Sequence, residues 1–368
     1  MAQPKAVIQY LNDHGGIGGH EVVGVYTAVD ATSPAPYATT LQRVCDEWTQ
    51  DHDVIAGIST GNAPVDLIRC LNDRGVIGVT GASFLPKSLQ DYAELPYMVN
   101  PSEVVMDVQD RALVDSLWRN GFFEKGDKIG VFYLTDQGSA SAYENALVPQ
   151  LAKYGLKVHY AFATEFPKST PEVATALASL QAPTLRMKSE GVTKILFAGT
   201  GEMTTVTQYA DDQEYYPKYG FTTNENPYVK ERMEHAERVM PGAMGIGWQP
   251  ILDVSQSPPP NNQAAQECLK IMQAAGGTAD QVQQWAAQTY CDTIRVLAAG
   301  GAQNPVEDMT AEALLAGINR IGTSYQSPSN FATFLSGEHR WGAAMARDLA
   351  WDTKCSCTKY TSAPYKIG

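Results

Sequence analysis

The sequence predicts an α/β protein made of two similar lobes, and three observations carry that expectation. The stretch from Val54 to Ser83 reads strand, polar turn, helix, strand, and so makes one parallel βαβ unit. After Lys128 a further series of alternating strands and helices repeats the plan with different residues. At 368 residues the chain exceeds what one hydrophobic core usually holds, which makes two domains of ordinary size the expectation.

Taken in order, Ala6, Val7, Tyr10 and Leu11 form an apolar stripe on a helix that Gly15 and Gly16 stop. The chain thus opens inside a helix, where a doubly wound domain normally opens with a strand. Residues 22–26 read as a short strand, 30–36 as a loop rich in Ser, Thr and Pro, and 39–50 as a helix. In the organising unit the strands are 54–58 and 76–80, and Pro64 opens the helix between them. A short extended piece at 95–99 and a helix at 104–120 follow. The second series runs strand 128–133, helix 141–154, strand 157–162, helix 171–190, strand 194–198 and helix 204–212. Pro258, Pro259 and Pro260 belong to an exposed connection. Helices are expected over 263–275, 278–299 and 310–318, with strand and loop from 326 onward. The first lobe is expected near 1–120 and 246–325, the second near 121–245 and 326–368.

Lys and Arg number 27 against 40 Asp and Glu, a formal charge of −13, and no basic run offers a phosphate-backbone footprint. Nucleic acid is therefore not an expected partner. No run of 18 apolar residues occurs, so the chain is not expected to span a membrane. The six cysteines form an even set without a zinc-like His/Cys spacing. Cys45 and Cys70 lie on the helices before and after strand 54–58, which pack side by side in successive right-handed crossovers. Cys268 and Cys291 fall on consecutive helices and pair if these are antiparallel neighbours; Cys355 and Cys357 read as a staple of an irregular terminus. Three disulfides in an oxidising, extracytoplasmic setting are expected, against the alternative of buried free thiols.

Catalytic and metal motifs are sparse. Gly15, Gly16, Gly18 and Gly19 follow a helix and precede a strand, the wrong context for a phosphate cradle, and no nucleotide cofactor is expected. Gly57, Ser59 and Gly61 match G-x-S-x-G after a strand, which keeps a serine hydrolase using Ser59 as an alternative. Of the downstream histidines, His159, His235 and His339, none sits at an evident strand-end loop beside a suitable acid. His14 and His20 lack a third ligand, and Asp211, Asp212 and Glu214 read as a solvated helix end, so no metal is expected. What remains is a set of polar loops at the carboxyl ends of strands, where open α/β sheets bind ligands. Ser59, Thr60, Asn62, Thr80 and Ser83 come from the first lobe; Asp136, Gln137 and Glu202 come from the second. A ligand held between the lobes is desolvated on both sides, which raises the value of each aimed hydrogen bond. Taken singly, each of these side chains reads equally well as a turn or helix cap.

The order of segments resembles the type I periplasmic binding-protein family, in particular the branched-chain amino acid receptors of ABC importers. AVIQYLNDHGGIGGHEVVGVYTAVDA resembles the family's helix, its N-x-x-G-G-I-x-G turn and the next strand, and VIAGISTGNAPV resembles its first ligand loop. GVIGVTGAS, GDKIGVFYLTDQG, GVTKILFAGTGE and AAQTYCDTIRVLAAG continue the match in the family's order through nearly the whole chain. The resemblance implies a monomeric, non-enzymatic protein that binds a small polar, zwitterionic solute in an interlobe cleft and delivers it to a membrane ABC permease. It also implies a location in the periplasm or on the cell surface, with a lipid anchor carried by a segment absent from this sequence. A ligand-sensing domain of a receptor or regulator is the chief alternative. Ser59 and the Thr60 amide resemble one contact with a ligand carboxylate, Ala82 with Ser83 the neighbouring contact, and Glu202 the acid that receives an ammonium. Gln137 stands where the family's D-x-[YF]-G segment carries an aromatic residue. The resemblance further implies a strand ahead of the first helix, near the middle of the first lobe's sheet; either it was cut away or another segment takes its place.

Overall fold

The computed structural model describes residues 2–30, 32–60, 65–81, 87–199, 202–255, 262–276 and 281–368, with the backbone alone for Thr60, Val65, Val282 and Gln283. It has a two-lobed α/β architecture. One compact unit comprises Met1–Ser83, Tyr92–Val104 and Pro259–Met345; the other comprises Phe84–Asp91, Val105–Pro258 and Ala346–Gly368. Residues 87–91, 105–120 and 246–255, expected in the first lobe, and residues 326–345, expected in the second, thus fall in the opposite unit.

In the first unit, β1 (Ala56–Thr60), β2 (Ile77–Gly81) and β3 (Met98–Val99) form a parallel sheet in the order β1-β2-β3. β2 is buried along its whole length, as an inner parallel strand covered on both faces should be. Helices α1 (Ala2–Asp13), α2 (Tyr37–Asp46) and α3 (Val65–Asp73) precede or connect these strands. The expected strand at 22–26 does not form: the segment has no regular secondary structure and pairs with no strand among the described residues. Its β-branched pattern supplies propensity, and propensity without a neighbouring ladder makes no strand.

In the second unit an eight-stranded sheet carries β4 (Ile129–Leu134), β5 (Val158–Thr164), β6 (Lys194–Phe197), β7 (Lys218–Thr222), β8 (Met244–Gly247), β9 (Met345–Asp352), β10 (Cys357–Tyr360) and β11 (Tyr365–Lys366). The order is β10-β9-β8-β7-β6-β4-β5, with β11 on β9. Strands β4 to β8 are parallel; β9 runs antiparallel to both β8 and β10. Strands β7 and β8 escape the sequence reading because each is short and interrupted by glycine. Phe132, Phe197, Tyr219 and Phe221 fill the core on this sheet, and the Phe132 and Phe197 rings stack at 5.7 Å. Helix α4 (Met106–Arg119) is tied to β9 through buried Asp348, whose carboxylate accepts from Ser116 Oγ at 2.7 Å and Arg119 at 2.8 Å. The carboxylate therefore stays below its usual range despite burial, held ionised by these donors, Asn120 and the Tyr365 hydroxyl.

The remaining helices of the first unit are α6 (Gln263–Ala274), α7 (Gln281–Gln303) and α8 (Ala311–Ile318), following α5 (Met203–Asp212) of the second. All three expected disulfides are formed: Cys45–Cys70 links α2 to α3, Cys268–Cys291 links α6 to α7, and Cys355–Cys357 closes the turn before β10. Their Cα separations of 6.4, 5.8 and 5.2 Å lie in the ordinary range. Pro258 to Pro260 lie outside the described residues. No helix among the described residues is long and apolar enough to cross a membrane.

Candidate functional site at the strand carboxyl ends

The second sheet reverses direction at β4: the chain steps to β5 on one side and then to β6 on the other. Such a switch point leaves the loops at the carboxyl ends of the two central strands diverging, and this is where open α/β sheets hold ligands. The loop after β4 carries Asp136 and Gln137; the loop after β6 leads to Glu202. The topology therefore gathers the three second-lobe residues singled out in the sequence onto one edge.

Their surroundings differ. Asp136 is exposed and caps the helix beginning at Gln137, accepting from the Ser139 amide at 3.1 Å and the Ser139 hydroxyl at 2.6 Å. Its carboxylate is engaged in the helix cap. Gln137 is exposed at the first position of that helix. Glu202 is only 9% exposed and precedes α5, yet its side chain caps nothing in that helix.

Beside it the structure adds residues that the sequence reading missed. β7 ends in Thr222, and the turn Thr223–Glu225 leads to Asn226 in the left-handed region. Glu225 is fully buried and accepts the Met203 amide at 3.2 Å, at the start of α5. Lys230 is 3% exposed and donates to the Thr204 hydroxyl. Burial pushes the Lys230 ammonium down to about 8, and the Glu225 charge offsets part of that shift. The turn is held from below, since Thr223 Oγ1 donates to Asp253 at 2.8 Å and receives the Trp248 amide at 2.9 Å. The Tyr360 hydroxyl reaches the other Asp253 oxygen at 2.7 Å, and Asn224 donates to Gln109 at 2.6 Å. Gly247 makes room for this arrangement, because a Cβ there would lie 2.2 Å from the Asp253 carboxylate. The signal was in the run Thr222 to Asn226, which is as polar as Ser59 to Asn62, but its strand was not recognised.

On the first unit's edge, Ser59 pairs in register with Thr80, and Thr60 with Gly81. Thr80 is 7% exposed, and its hydroxyl makes no hydrogen bond among the described residues. The Thr289 hydroxyl of α7 is likewise buried and unpaired. Gly81 brings strand and helix together, since a Cβ there would lie 2.6 Å from the Thr293 methyl and 2.8 Å from that of Thr289. A buried hydroxyl without a partner costs about 1–3 kcal/mol, a demand that a bound polar group would meet. Asn62, Ala82 and Ser83 lie outside the described residues, and of Thr60 only the backbone is described.

Ser59 sits inside β1 and not at the apex of a strand-to-helix elbow, and no histidine hydrogen-bonds to it among the described residues. The geometry of a serine nucleophile is not present there. His14 binds the Tyr10 carbonyl and His20 that of Val306, and no three His, Cys, Asp or Glu side chains group as metal ligands among the described residues.

No family model matches the sequence. No curated protein matches it. Solved structures do match over nearly the whole chain. A solute-binding protein of an ABC transporter from R. palustris, in complex with 4-hydroxybenzoate, has a TM-score of 0.71 at 16% identity, covering 99% of this chain and 92% of its own. A branched-chain amino acid ABC transporter protein from Thermus thermophilus with bound valine has a TM-score of 0.69 at 12% identity, covering 99% and 91%. A possible leucine/isoleucine/valine-binding protein from Rhodopirellula baltica gives 0.66 at 14%, covering 98% and 91%. The fold is that of the type I periplasmic binding proteins.

Proposed function

We propose that this chain is an extracytoplasmic solute-binding protein, not an enzyme, that captures a small polar solute and delivers it to a membrane ABC permease. The observation that carries the reading is the buried charged group Glu202, Glu225 and Lys230 at the carboxyl ends of β6 and β7, on a fold whose relatives are described as solute-binding proteins. Burying three ionisable side chains is costly for a scaffold and ordinary for a site that exchanges water for a charged ligand. The disulfides suit an oxidising compartment.

The ligand class favoured is an amino acid, an amide or a related zwitterion. In this reading the ammonium meets Glu202 and Glu225 at the strand ends of the second unit. The Lys230 ammonium favours a second reading, a small carboxylic acid, as in the relative that holds 4-hydroxybenzoate. A thermal-shift screen of amino acids, amides, short organic and aromatic acids and sugars tests both. A ligand that binds only the folded state raises the midpoint by mass action. No midpoint change with any member of these classes would refute the proposal.

A further inference from the structure

The Cys355–Cys357 bridge differs in kind from the other two disulfides. Its cysteines are two residues apart in the hairpin between β9 and β10, whereas Cys45–Cys70 and Cys268–Cys291 span 25 and 23 residues and each join two helices. A disulfide stabilises a fold mainly by removing freedom from the unfolded chain, and the gain grows with the loop it closes. By linkage the relation is reciprocal: the bridge that adds least to the fold is the one the fold protects least against reduction. The backbone adds a cost on the bridged side. Ser356, between the two cysteines, has a φ of 51°, in the left-handed region that a serine seldom enters and that persists only where the surroundings enforce it. The bridge enforces it here, together with the Ser356 hydroxyl, which donates to Glu237 at 2.7 Å. The two sulfurs differ in access, for Cys355 is half-buried and Cys357 is 1% exposed. Cys70 is half-buried as well, so loop length and not access sets this bridge apart.

The hairpin is also tied to the segment that carries Glu225 and Lys230. Thr358, the first residue past the bridge, is fully buried, and its amide donates at 2.9 Å to Glu231, the residue after Lys230. Glu231 accepts the Ser255 hydroxyl too. Two residues further along β10, the Tyr360 hydroxyl holds Asp253, whose other oxygen accepts from Thr223. We propose that Cys355–Cys357 is a thiol–disulfide exchange site whose substrate is the exposed C-x-x-C dithiol of a partner oxidoreductase. The partner's thiolate attacks the accessible Cys355 sulfur; the S–S bond breaks, and Cys357 leaves as a thiolate and takes a proton. The partner's second thiolate then attacks its own sulfur in the mixed disulfide, and Cys355 leaves and is protonated in turn. The partner ends as a disulfide and this chain as a dithiol, with two electrons transferred. Exposed Thr353 and Lys354 leave the hairpin open to such an approach. Once the bridge is open, Ser356 leaves the left-handed region, the Cys357 pairing with Asp352 at the start of β10 frays, and the Thr358 contact with Glu231 loosens. The short helix Pro227–Lys230 thereby responds to the redox state of the hairpin. Exchange at this bridge does not depend on the solute reading above.

The test treats the folded, full chain with reduced thioredoxin as the dithiol probe, then alkylates and maps the thiols that appear. Cys355 and Cys357 are expected to label roughly tenfold or more faster than Cys45 and Cys70, although one sulfur of each bridge is equally accessible, and Cys268 and Cys291 to stay bridged. Thioredoxin with its second active-site cysteine replaced by serine cannot resolve the mixed disulfide and should be captured on Cys355. The double variant Cys355→Ser, Cys357→Ser should capture nothing. Without any reductant, its amides over 227–231 and 358–360 should exchange with solvent roughly tenfold or more faster than in the bridged parent, while its thermal midpoint falls by only a few degrees. Equal rates of reduction at Cys355–Cys357 and Cys45–Cys70 would overturn the proposal, because loop length would then confer no lability. Capture on Cys357 would overturn the assignment of the attacked sulfur. Equal exchange over 227–231 in the parent and the double variant would overturn the link between the hairpin and that segment.

Discussion

The two units share an α/β plan and differ in how their sheets are completed and what they present at the strand ends. In the second, β4 and β6 are inner strands flanked on both sides, and the chain reverses between them. In the first, the order β1-β2-β3 runs one way and leaves β1 open on an apolar cavity. The edge of the first is neutral, made of Ser59, Thr80 and peptide groups, whereas that of the second is charged, made of Glu202, Glu225 and Lys230. Closed ladders and a dense aromatic core give the second unit a scaffold stiff enough to hold charges out of water. The first unit can offer hydroxyls without such support, because their desolvation costs less.

The largest expected effect compares the two cores. Phe197→Ala removes a ring stacked on Phe132 and should cost about 4 kcal/mol, whereas Leu71→Ala in the first unit should cost about 3 kcal/mol. Denaturant unfolding of both variants measures it, and a larger loss at Leu71 would reverse the comparison. Next comes the Cys45–Cys70 disulfide, which joins two helices of the first unit across 25 residues. Replacing both cysteines with Ala should lower stability by about 3.5 kcal/mol on the chain-entropy estimate. Non-reducing peptide mapping should recover all three linked pairs, and six titratable thiols in the denatured protein would reject them.

Titration distinguishes the units by sign. Lys230 has a native value of about 8, depressed from 10.5 by burial, so above pH 8 the unfolded chain holds more protons than the native one. Its contribution to stability should increase as pH rises from 8 towards 10, by up to about 3 kcal/mol, and Lys230→Met should remove that rise. In the first unit, burial pushes Asp292 up to about 6 although the Tyr325 and Ser327 hydroxyls, each at 2.5 Å, and Arg295 oppose the shift. Here the native state holds the extra proton, so the contribution should fall as pH rises from about 4 to 6, and Asp292→Asn should flatten that slope. Differential scanning of each variant against the parent across both windows checks the two signs. The smallest effect concerns Asp136: as a helix cap, its replacement by Ala should cost about 1 kcal/mol and leave solute affinity unchanged.

Much of the plan was legible in the sequence because it rests on local signals. The βαβ unit is displaced by only one or two residues from its expected bounds, and each cysteine pair followed from placing its members on adjacent elements or across one turn. The loops after β4 and β6 were legible as polar runs behind apolar strands. Residues 22–26 were misread because their strand depends on a partner ladder, which no local pattern reveals. Glu225 and Lys230 were missed because they follow β7, a five-residue strand whose Lys218 and Gly220 blur the apolar run. Which edge residues are exposed caps and which are buried was also illegible, since Asp136 and Glu202 differ in burial and not in spacing.

The central claim is that the buried acids at the second unit's edge receive a solute's positive group. Titration calorimetry with the amino acids, amides and acids that raise the melting midpoint, on the parent and on Glu202→Gln, measures it most directly. The account predicts an affinity loss of about thirtyfold, roughly 2 kcal/mol, because an ionic hydrogen bond becomes a neutral one in a desolvated site, with the unliganded midpoint little changed. Equal affinity in the two proteins would contradict it.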